Sequence, residues 1–561
     1  MDYNLDNEQN KVIQSTAKKI IVEAPAGFGK TYTMICMLDS WIRDSLIKNN
    51  KKILCLSFSL SAVNRMRDSL RQLQKDMPEN PILPIITTNY HGLGRRILSK
   101  YGNFVGLSQS IDDYENTENV VLPQDVNCDI TTFKNNIKND SLSEKQLLIE
   151  IEKYNNYLRE YYLPNSIIPF DGIITLTIEL FQKYFALKNF YRSYYTAICI
   201  DEFQDTNRLQ LAFIHILMGE DARFVAFGDS MQHIYGFIGA IDNLIDEEIL
   251  DDSVEYIRLK NNYRFKDSHD MNLLDQNLRS FHANMNSYIP QEVPYIETIH
   301  GMNLQDEANK LAKIIKRVTL EYNERIAILF SQNSTTTKEL LRHLASENIN
   351  FYNGFFKEDN IDFINFQESA FEAFQTKFAR KTLRQIDIAK FMSFIKRNSY
   401  VSEYLPSFLS LLEGLLKKAV SSVDSINRNN YVNSILSQKI LNQSVDEIMD
   451  AVYVNTIHGS KGLEWEYVVV ANFENNEFPN YHDMQDISTF SKEGQLIITD
   501  TNHEAVQTLI NKFYVAFSRA KKKVLLSYSD YHWEGRWEKA ARISCLADIS
   551  VLKIKEIHFE D

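Results

Sequence analysis

A glycine-containing loop that ends in Lys30 and Thr31 gives the clearest chemical signal in the sequence. The loop runs Ala24, Pro25, Ala26, Gly27, Phe28, Gly29, Lys30 and Thr31. Backbone N–H groups of such a loop, together with the start of a following helix, can bind phosphate oxygens. The Lys30 ammonium would then contact the β- and γ-phosphates, and the Thr31 hydroxyl would hold Mg²⁺. These residue types predict a nucleoside triphosphate site; the alternative is a plain glycine turn between a strand and a helix.

Two adjacent carboxylates, Asp201 and Glu202, follow the apolar run at residues 196–200. A strand that ends in such a pair is what a phosphate-loop ATPase requires. Asp201 would bind Mg²⁺, and Glu202 would orient and polarise the attacking water. The alternative is an ordinary solvated turn, which the preceding apolar run makes the weaker interpretation.

One amide and two arginines could complete a phosphoryl-transfer site. Gln232 comes shortly after the apolar run 223–227, where its amide could sense the γ-phosphate. Arg264 and Arg519 could meet the charge that develops on the transferring phosphoryl group. Taken singly, each arginine is more simply explained by a surface ion pair.

Strands must position these side chains. The apolar runs at 20–22, 196–200 and 223–227 predict buried strands, and residues 32–38 predict the helix that follows the glycine loop. Parallel strands joined by helical crossovers form three-layer α/β domains.

Taken in order, the motifs resemble those of the superfamily 1 DNA helicases of the UvrD/Rep/PcrA type. Asp201-Glu202-Phe203-Gln204-Asp205 fits the family's Asp-Glu-x-Gln-Asp box residue for residue, and residues 262–264 match its Asn-Tyr-Arg element. Besides the glycine loop, the matching segments are 5–9, 57–66, 90–93, 201–205, 228–235, 262–264, 456–465 and 514–520.

The resemblance implies specific roles around the nucleotide. Gln9 would read the adenine edge, and Tyr263 would stack on the adenine ring. Arg264 would contact the γ-phosphate, Arg519 would reach the nucleotide from the second domain, and Glu464 would belong to the nucleotide site. ATP would sit between two RecA-like domains.

The resemblance also implies a DNA-binding side. Its candidate residues are Phe58, Tyr90, His91, Tyr235, Phe237 and His458. Aromatic rings at these positions can stack on bases, but core packing explains the aromatic residues equally well. Ile238 stands where the family carries an arginine, so one polar contact on this side is missing.

The predicted fold is α/β, with two RecA-like parallel-sheet domains that carry helical insert subdomains. The motif order gives these parts: 1–94 and 195–265 for the first RecA-like domain, 95–194 for its helical insert, 266–355 and 450–561 for the second RecA-like domain, and 356–449 for its reduced helical insert.

Local patterns within the inserts and near the C-terminus predict further elements. Ser143 and Gln146 have the spacing of a capping box, followed by a helical stripe that is best explained by core packing. A second apolar stripe begins at Phe408. Lys521-Lys522-Lys523 predict a solvated loop ahead of the strand at 524–526, although they could also contact phosphates.

Composition narrows the class of protein. The 561 residues carry a net charge of −13, which by itself leans against nucleic-acid binding, but a local groove can be basic on an acidic protein. The five cysteines show no paired spacing, which favours reduced thiols. No apolar run approaches the length of a membrane span. A cytoplasmic location without membrane partners is expected.

The leading hypothesis is an ATP-dependent single-stranded DNA translocase and DNA helicase. It would use ATP and Mg²⁺, act on single-stranded and tailed duplex DNA, and move 3′ to 5′, as the resemblance implies. The alternative is a DNA-stimulated ATPase subunit that serves a partner nuclease, in recombination or in antiviral defence of the Gabija type. A third hypothesis, a scaffold without activity, is disfavoured by the complete set of ATP-site residues.

Overall fold

A computed structural model describes nine stretches of the chain. They are residues 4–43, 50–58, 60–75, 84–139, 141–357, 360–448, 450–487, 496–534 and 537–559. The chain forms two compact units, unit 1 (Met1–Arg264) and unit 2 (Phe265–Asp561). This division falls one residue before the predicted boundary after residue 265, and the finer domain boundaries stay predictions.

In the described part of unit 1, six parallel strands form one sheet. They are β1 (Lys19–Glu23), β2 (Lys52–Ser57), β3 (Ile85–Asn89), β4 (Tyr195–Asp201), β5 (Arg223–Gly228) and β6 (Val254–Arg258). Their order across the sheet is β3-β2-β4-β5-β1-β6. The strands predicted at 20–22, 196–200 and 223–227 are therefore confirmed as β1, β4 and β5.

Helices connect and cover these strands. They are α1 (Asn7–Gln14), α2 (Lys30–Arg43), α3 (Leu60–Lys75), α4 (Tyr90–Tyr101), α5 (Gln124–Lys138), α6 (Glu144–Tyr157), α7 (Phe170–Lys183), α8 (Phe185–Tyr194), α9 (Arg208–Leu217) and α10 (Leu244–Glu248). The helix predicted at 32–38 is the middle of α2. The first helix begins with a capping box between Asp6 and Gln9.

The sheet of unit 1 is buried on both faces, as its continuous apolar strands require. On β4, Ile198 and Ile200 contribute to one core, whereas Ala197 and Cys199 contribute to the other. Successive side chains of a strand point to opposite faces. The alternation therefore places apolar layers on both sides and leaves the strand ends as the accessible edge.

The segment predicted to be the insert of unit 1 has the expected helical packing. Ser143 accepts the N–H of Gln146, and the Gln146 side chain returns to the Ser143 backbone, so the capping box is confirmed. The stripe that follows is buried at all of its positions, Leu147, Ile151, Tyr154 and Leu158. The core-packing interpretation of this stripe is therefore correct.

Unit 2 contains a second sheet in its described residues. The strands are β7 (Tyr295–Asn303), β8 (Ile326–Phe330), β9 (Tyr352–Asn353), β10 (Val452–Thr456), β11 (Trp465–Val470), β12 (Ala520–Glu534), β13 (Trp537–Ala540) and β14 (Lys553–Glu556). The order is β14-β7-β12-β11-β8-β10-β9, with parallel pairing throughout, and β13 pairs antiparallel with β12. The α/β class with two parallel sheets is confirmed.

The helices of unit 2 include those that cover this sheet and those of the segment predicted to be its insert. They are α11 (His269–Ala283), α12 (Leu304–Lys316), α13 (Thr335–Ser346), α14 (Ile361–Phe378), α15 (Gln385–Asn398), α16 (Leu405–Ser422), α17 (Arg428–Ser437), α18 (Tyr481–Ile487) and α19 (His503–Phe517). The stripe that begins at Phe408 is buried on α16. Within the described ranges, no helix has both the length and the apolar character needed to cross a membrane.

The lysine triplet corrects one sequence prediction. Lys521, Lys522 and Lys523 lie on β12 rather than in a loop. Lys521 contacts Glu464 at 3.8 Å, Lys522 pairs with Glu324, and Lys523 contacts Glu297 at 2.6 Å. The run of three lysines could not indicate these carboxylates, because they come from distant parts of the sequence. In the structure they balance the charge of the lysines.

Unit 2 buries two neighbouring glutamates, one of which contacts a histidine. Glu307 on α12 and Glu474 after β11 are both 0% exposed, and His532 Nε2 lies 2.5 Å from Glu474 Oε2. Burial and the neighbouring charge of Glu474 raise the pKa of Glu307 well above its usual range. The folded protein therefore favours the protonated form of Glu307.

The raised pKa of Glu307 gives unit 2 a pH-dependent stability. Because the folded pKa of Glu307 lies above its unfolded value, its contribution is complete below the unfolded pKa and is lost as pH rises through the folded pKa. Glu307→Gln stays neutral, so its unfolding free energy should fall less than that of the wild type as pH rises above the ordinary pKa of a glutamate, by about 1–3 kcal/mol. Urea unfolding of both proteins measures the difference; parallel curves would contradict it.

Candidate nucleotide and DNA site

The carboxyl ends of the parallel strands bring the predicted nucleotide segments to one edge of the unit 1 sheet. The loop with Lys30 follows β1, Asp201 ends β4, and Asp229 follows β5. Strand β5 lies between β4 and β1, and β6, which leads to Tyr263, flanks β1 on its other side. Open α/β sheets bind ligands at this edge.

Two glycines determine the conformation of the glycine loop at 24–31, the candidate phosphate loop. Gly27 and Gly29 have φ values of +85° and +79°, which side chains with a Cβ rarely adopt. A Cβ on Gly27 would lie 2.6 Å from Arg264 Cβ and 2.7 Å from Asn262 Oδ1. The Tyr263 N–H donates to the Gly27 carbonyl at 2.8 Å. The loop is therefore packed against the segment after β6, and only glycine fits at position 27.

Lys30 lies between the two predicted acidic residues. Its Nζ is 3.0 Å from Asp201 Oδ1 and 2.5 Å from Glu202 Oε1, and the lysine side chain is 13% exposed. Burial alone would lower the pKa of Lys30, but the two carboxylates raise it above its ordinary value. The ammonium is thus charged and lies between the two carboxylates.

Glu202 has an unusual backbone conformation. Its φ of +56° and ψ of +47° are left-handed, which is uncommon for a residue other than glycine and often marks a functional position. Gln204 Nε2 donates to Glu202 Oε2 at 2.8 Å. The turn therefore holds the carboxylate at the strand end, and an amide fixes its orientation.

Asp229 is a site residue that the sequence interpretation missed. It is 0% exposed, and its Oδ2 accepts hydrogen bonds from Ala26 N at 3.2 Å and Gln232 Nε2 at 2.8 Å. Asp229 N donates to Gln204 Oε1 at 3.1 Å. Gln204 and Asp229 thus join Glu202, the predicted sensor Gln232 and the phosphate loop. Both lie at fixed positions of the matched motifs, a signal that could have found them.

The predicted adenine-side residues lie together. Gln9 is buried, and a Cβ on Gly29 would lie 2.7 Å from its Nε2. The Tyr263 hydroxyl donates to Asp6 Oδ2 at 2.8 Å and to Gln9 Oε1 at 3.4 Å, while its side chain stays 42% exposed. An accessible ring beside a buried amide is an arrangement that can hold a base.

On the predicted DNA side, Phe58 and Tyr235 form one aromatic pair. Their ring centroids are 5.2 Å apart at an interplanar angle of 25°, and both residues are half-buried. Phe58 directly follows β2, and Tyr235 lies in the segment after β5. Two rings from distant parts of the chain thus form one partly exposed surface. The side chain of Phe237 lies outside the described residues.

The motif tyrosine and histidine at the start of α4 lie deeper. Tyr90 is 2% exposed and its hydroxyl is 3.3 Å from Thr206 Oγ1, so its ring belongs to the core, the alternative that the sequence left open. Burial and the charge of Arg95 lower the pKa of His91 to about 4, so this imidazole is neutral. Its ring contacts the exposed Phe170 edge-on at 5.5 Å.

The predicted residues of unit 2 have their own surroundings. Arg519 is 3% exposed, and its guanidinium donates to the carbonyls of Val515 at 3.0 Å and Leu463 at 3.5 Å. Glu464 is half-buried near Lys521, and His458 begins a short 3₁₀ turn after β10. The contacts of Arg519 stabilise the end of α19, and its role toward a nucleotide stays a prediction.

Comparison with known proteins gives matches in both units. Residues 5–251 match the model of the UvrD/REP helicase N-terminal domain, and residues 357–531 match that of the UvrD-like helicase C-terminal domain. The ATP-dependent DNA helicase PcrA of Leuconostoc citreum is 27% identical over 282 residues, which are 46% of this chain and 37% of that protein.

The proteins of the same name from Staphylococcus aureus strain Mu50 and Staphylococcus epidermidis strain ATCC 35984 are each 25% identical, over 283 and 285 residues. Each alignment covers 46% of this chain and 38% of the relative. The chain thus matches less than two fifths of the length of these curated relatives.

Proposed function

We propose that this chain, which belongs to the UvrD/Rep family of helicases, is an ATP-dependent translocase and helicase on single-stranded DNA. The proposal rests mainly on one observation, the contact of Lys30 with both Asp201 and Glu202. Lys30 is the first residue of α2, and the two carboxylates lie at the end of β4. A phosphate-binding lysine, a metal-binding carboxylate and a catalytic carboxylate in one place fit phosphoryl transfer to water. Movement 3′ to 5′ is proposed from the family resemblance.

The phosphate loop binds the triphosphate through its backbone. The N–H groups at the start of α2 and around Gly27 and Gly29 can point positive dipole ends toward phosphate oxygens. Lys30 is at present shared by Asp201 and Glu202. A bound triphosphate competes with these carboxylates for the ammonium, so nucleotide binding and the geometry of the acidic pair are linked.

The residues at the edge of the sheet fit a magnesium ion. Thr31 offers an exposed hydroxyl and Asp201 a carboxylate, and Mg²⁺ prefers oxygen ligands. These two residues would hold the ion, which when bound neutralises negative charge on the phosphates. The fit rests on the donor set and on the positions of Asp201 at the carboxyl end of β4 and of Thr31 at the start of α2.

Glu202 acts on the attacking water. Its carboxylate accepts from Gln204, so one oxygen is oriented while the other stays near Lys30. Once the lysine engages phosphate, that oxygen is released to accept a water proton. Gln232 lies in the turn after the neighbouring strand β5, where its side chain donates to Asp229. Its role is to sense the γ-phosphate.

A direct test uses the purified chain with and without oligothymidylate. ATP hydrolysis that rises with single-stranded DNA, and unwinding of a duplex with a 3′ tail but not of one with a 5′ tail, are the expected results. The absence of ATP hydrolysis would overturn the proposal. Hydrolysis without unwinding would support the ATPase activity alone. It would favour the alternative of a DNA-stimulated ATPase subunit that acts with a partner nuclease.

The aromatic pair gives a specific DNA-binding prediction. Phe58→Ala and Tyr235→Ala are each expected to weaken binding of single-stranded DNA by about 1–3 kcal/mol, since stacking on a base contributes that much. Tyr90→Phe is the matched control, because its ring is buried and should not touch DNA. Fluorescence anisotropy with labelled oligothymidylate measures all three. Equal losses in the three variants would contradict the assignment.

A further inference from the structure

His233 connects the hydrolytic segment after β4 with the loop that leads to the DNA-side aromatic pair. Its Nδ1 lies 2.9 Å from the Gln204 carbonyl oxygen, and its Nε2 lies 2.8 Å from Asp242 Oδ1. It follows the sensor Gln232 directly and precedes Tyr235 by two positions. The matched motif leaves position 233 open, so the family pattern predicts none of these contacts.

The contacts of His233 determine its charge. A carbonyl oxygen and a carboxylate can only accept, so both ring nitrogens must donate and the imidazole must be an imidazolium. Burial alone would lower the pKa of His233, but the hydrogen bonds and the charges of Asp242 and Asp205 raise it. A cation therefore bridges the Gln204 backbone and the loop carboxylate.

The loop around His233 is fixed to the same segment at a second place. Ile241 N donates to the Thr206 carbonyl at 3.0 Å, and Ala240 pairs with Asn207 in an antiparallel bridge. A Cβ on Gly236 would lie 3.3 Å from both His233 Nε2 and Asp242 Oδ1. The absence of a side chain at Gly236 therefore makes room for the ion pair.

Gln204 is the point where these contacts meet the hydrolytic site. Its backbone carbonyl accepts from His233, while its side chain donates to Glu202 Oε2 at 2.8 Å and accepts from Asp229 N at 3.1 Å. Displacement of the loop that carries Tyr235 would thus move the backbone of the residue that orients Glu202. Hydrogen-bond chains of this kind are physical routes for coupling between sites.

We propose that His233, held by Asp242, is a positioning residue that makes the orientation of Glu202 depend on DNA bound at Tyr235. The proposal rests on the proposed function, since it assumes that ATP hydrolysis responds to single-stranded DNA. His233 touches neither nucleotide nor DNA in this scheme; it acts through Gln204.

The test measures DNA-stimulated ATP hydrolysis of the full chain with oligothymidylate. His233→Ala should lower the stimulated kcat about fivefold while KM for ATP stays within about twofold. Asp242→Asn, which keeps an acceptor but loses the charge, should give a smaller fall. His215→Ala, which removes an exposed histidine of α9, is the matched control and should leave the stimulated kcat unchanged.

A pH series separates this role from a structural one. The groups that face His233 are Asp242 on its own loop and Asp205 on the segment after β4. The stimulated kcat of the wild type should fall as pH rises through the pKa of His233, and that step should vanish in His233→Ala. A wild-type kcat in both variants, or an unchanged pH step, would overturn the proposal. A wild type without DNA stimulation would instead refute the proposed function.

Discussion

Glu202→Gln is expected to bind ATP with nearly unchanged affinity and to hydrolyse it at least about a hundredfold more slowly, because a general base contributes about 10²–10⁴-fold. The amide is almost isosteric with the carboxylate and can still accept from Gln204. It cannot take up a water proton, and it no longer carries the charge that contacts Lys30 at 2.5 Å. The chemical step should therefore be lost while the binding site remains.

Two measurements on this variant check the assignment. Titration with a fluorescent ATP analogue should give a dissociation constant close to that of the wild type, and phosphate release in the presence of oligothymidylate should nearly cease. Glu220→Gln removes an exposed carboxylate of the same unit and is the matched control. Turnover by Glu202→Gln at the wild-type rate would remove Glu202 from its catalytic role.

Lys30→Met should abolish both ATP binding and hydrolysis, with a loss of turnover of at least about a hundredfold, as is usual when a charge-stabilising donor is removed. It should also destabilise unit 1. Asp201 and Glu202 would lose the cation that now lies 3.0 and 2.5 Å away, and breaking a buried ion pair costs about 3 kcal/mol.

A second lysine provides the control for this variant. Lys19 on β1 forms an exposed pair with Asp251 at 2.9 Å, so Lys19→Met removes an ion-paired lysine from the same unit at little expected cost. Calorimetric ATP titration and urea unfolding of both variants measure the two effects. If Lys30→Met binds ATP as the wild type does, the phosphate loop does not hold the triphosphate.

Local sequence predicted the elements that carry the chemistry. The strands β1, β4 and β5, the helix α2 and the capping box at Ser143 occur where the apolar runs and the polar spacing indicated. These features depend on neighbouring residues. Apolar runs bounded by glycine or acidic residues select strands, and Ser and Gln three positions apart satisfy each other's backbone groups.

Predictions that depended on distant partners were the ones that sequence could not settle. Lys521 to Lys523 became strand residues beside glutamates from other parts of the chain. Tyr90 could be a base contact or a core residue by sequence, and its hydrogen bond with Thr206 places it in the core. In both cases the residue that makes the contact is more than 50 positions away in the sequence.

The sequence alone determined which groups are candidates for binding a triphosphate, because the order and spacing of glycine, lysine, carboxylate and amide residues are properties of the sequence. Tertiary structure decided how those groups are connected. Asp229, Gln204 and His233 join the glycine loop, Glu202 and the loop that carries Tyr235 through hydrogen bonds across the sheet edge. Parallel strand packing brings these residues together, and a hydrogen bond forms only where distance and direction allow it.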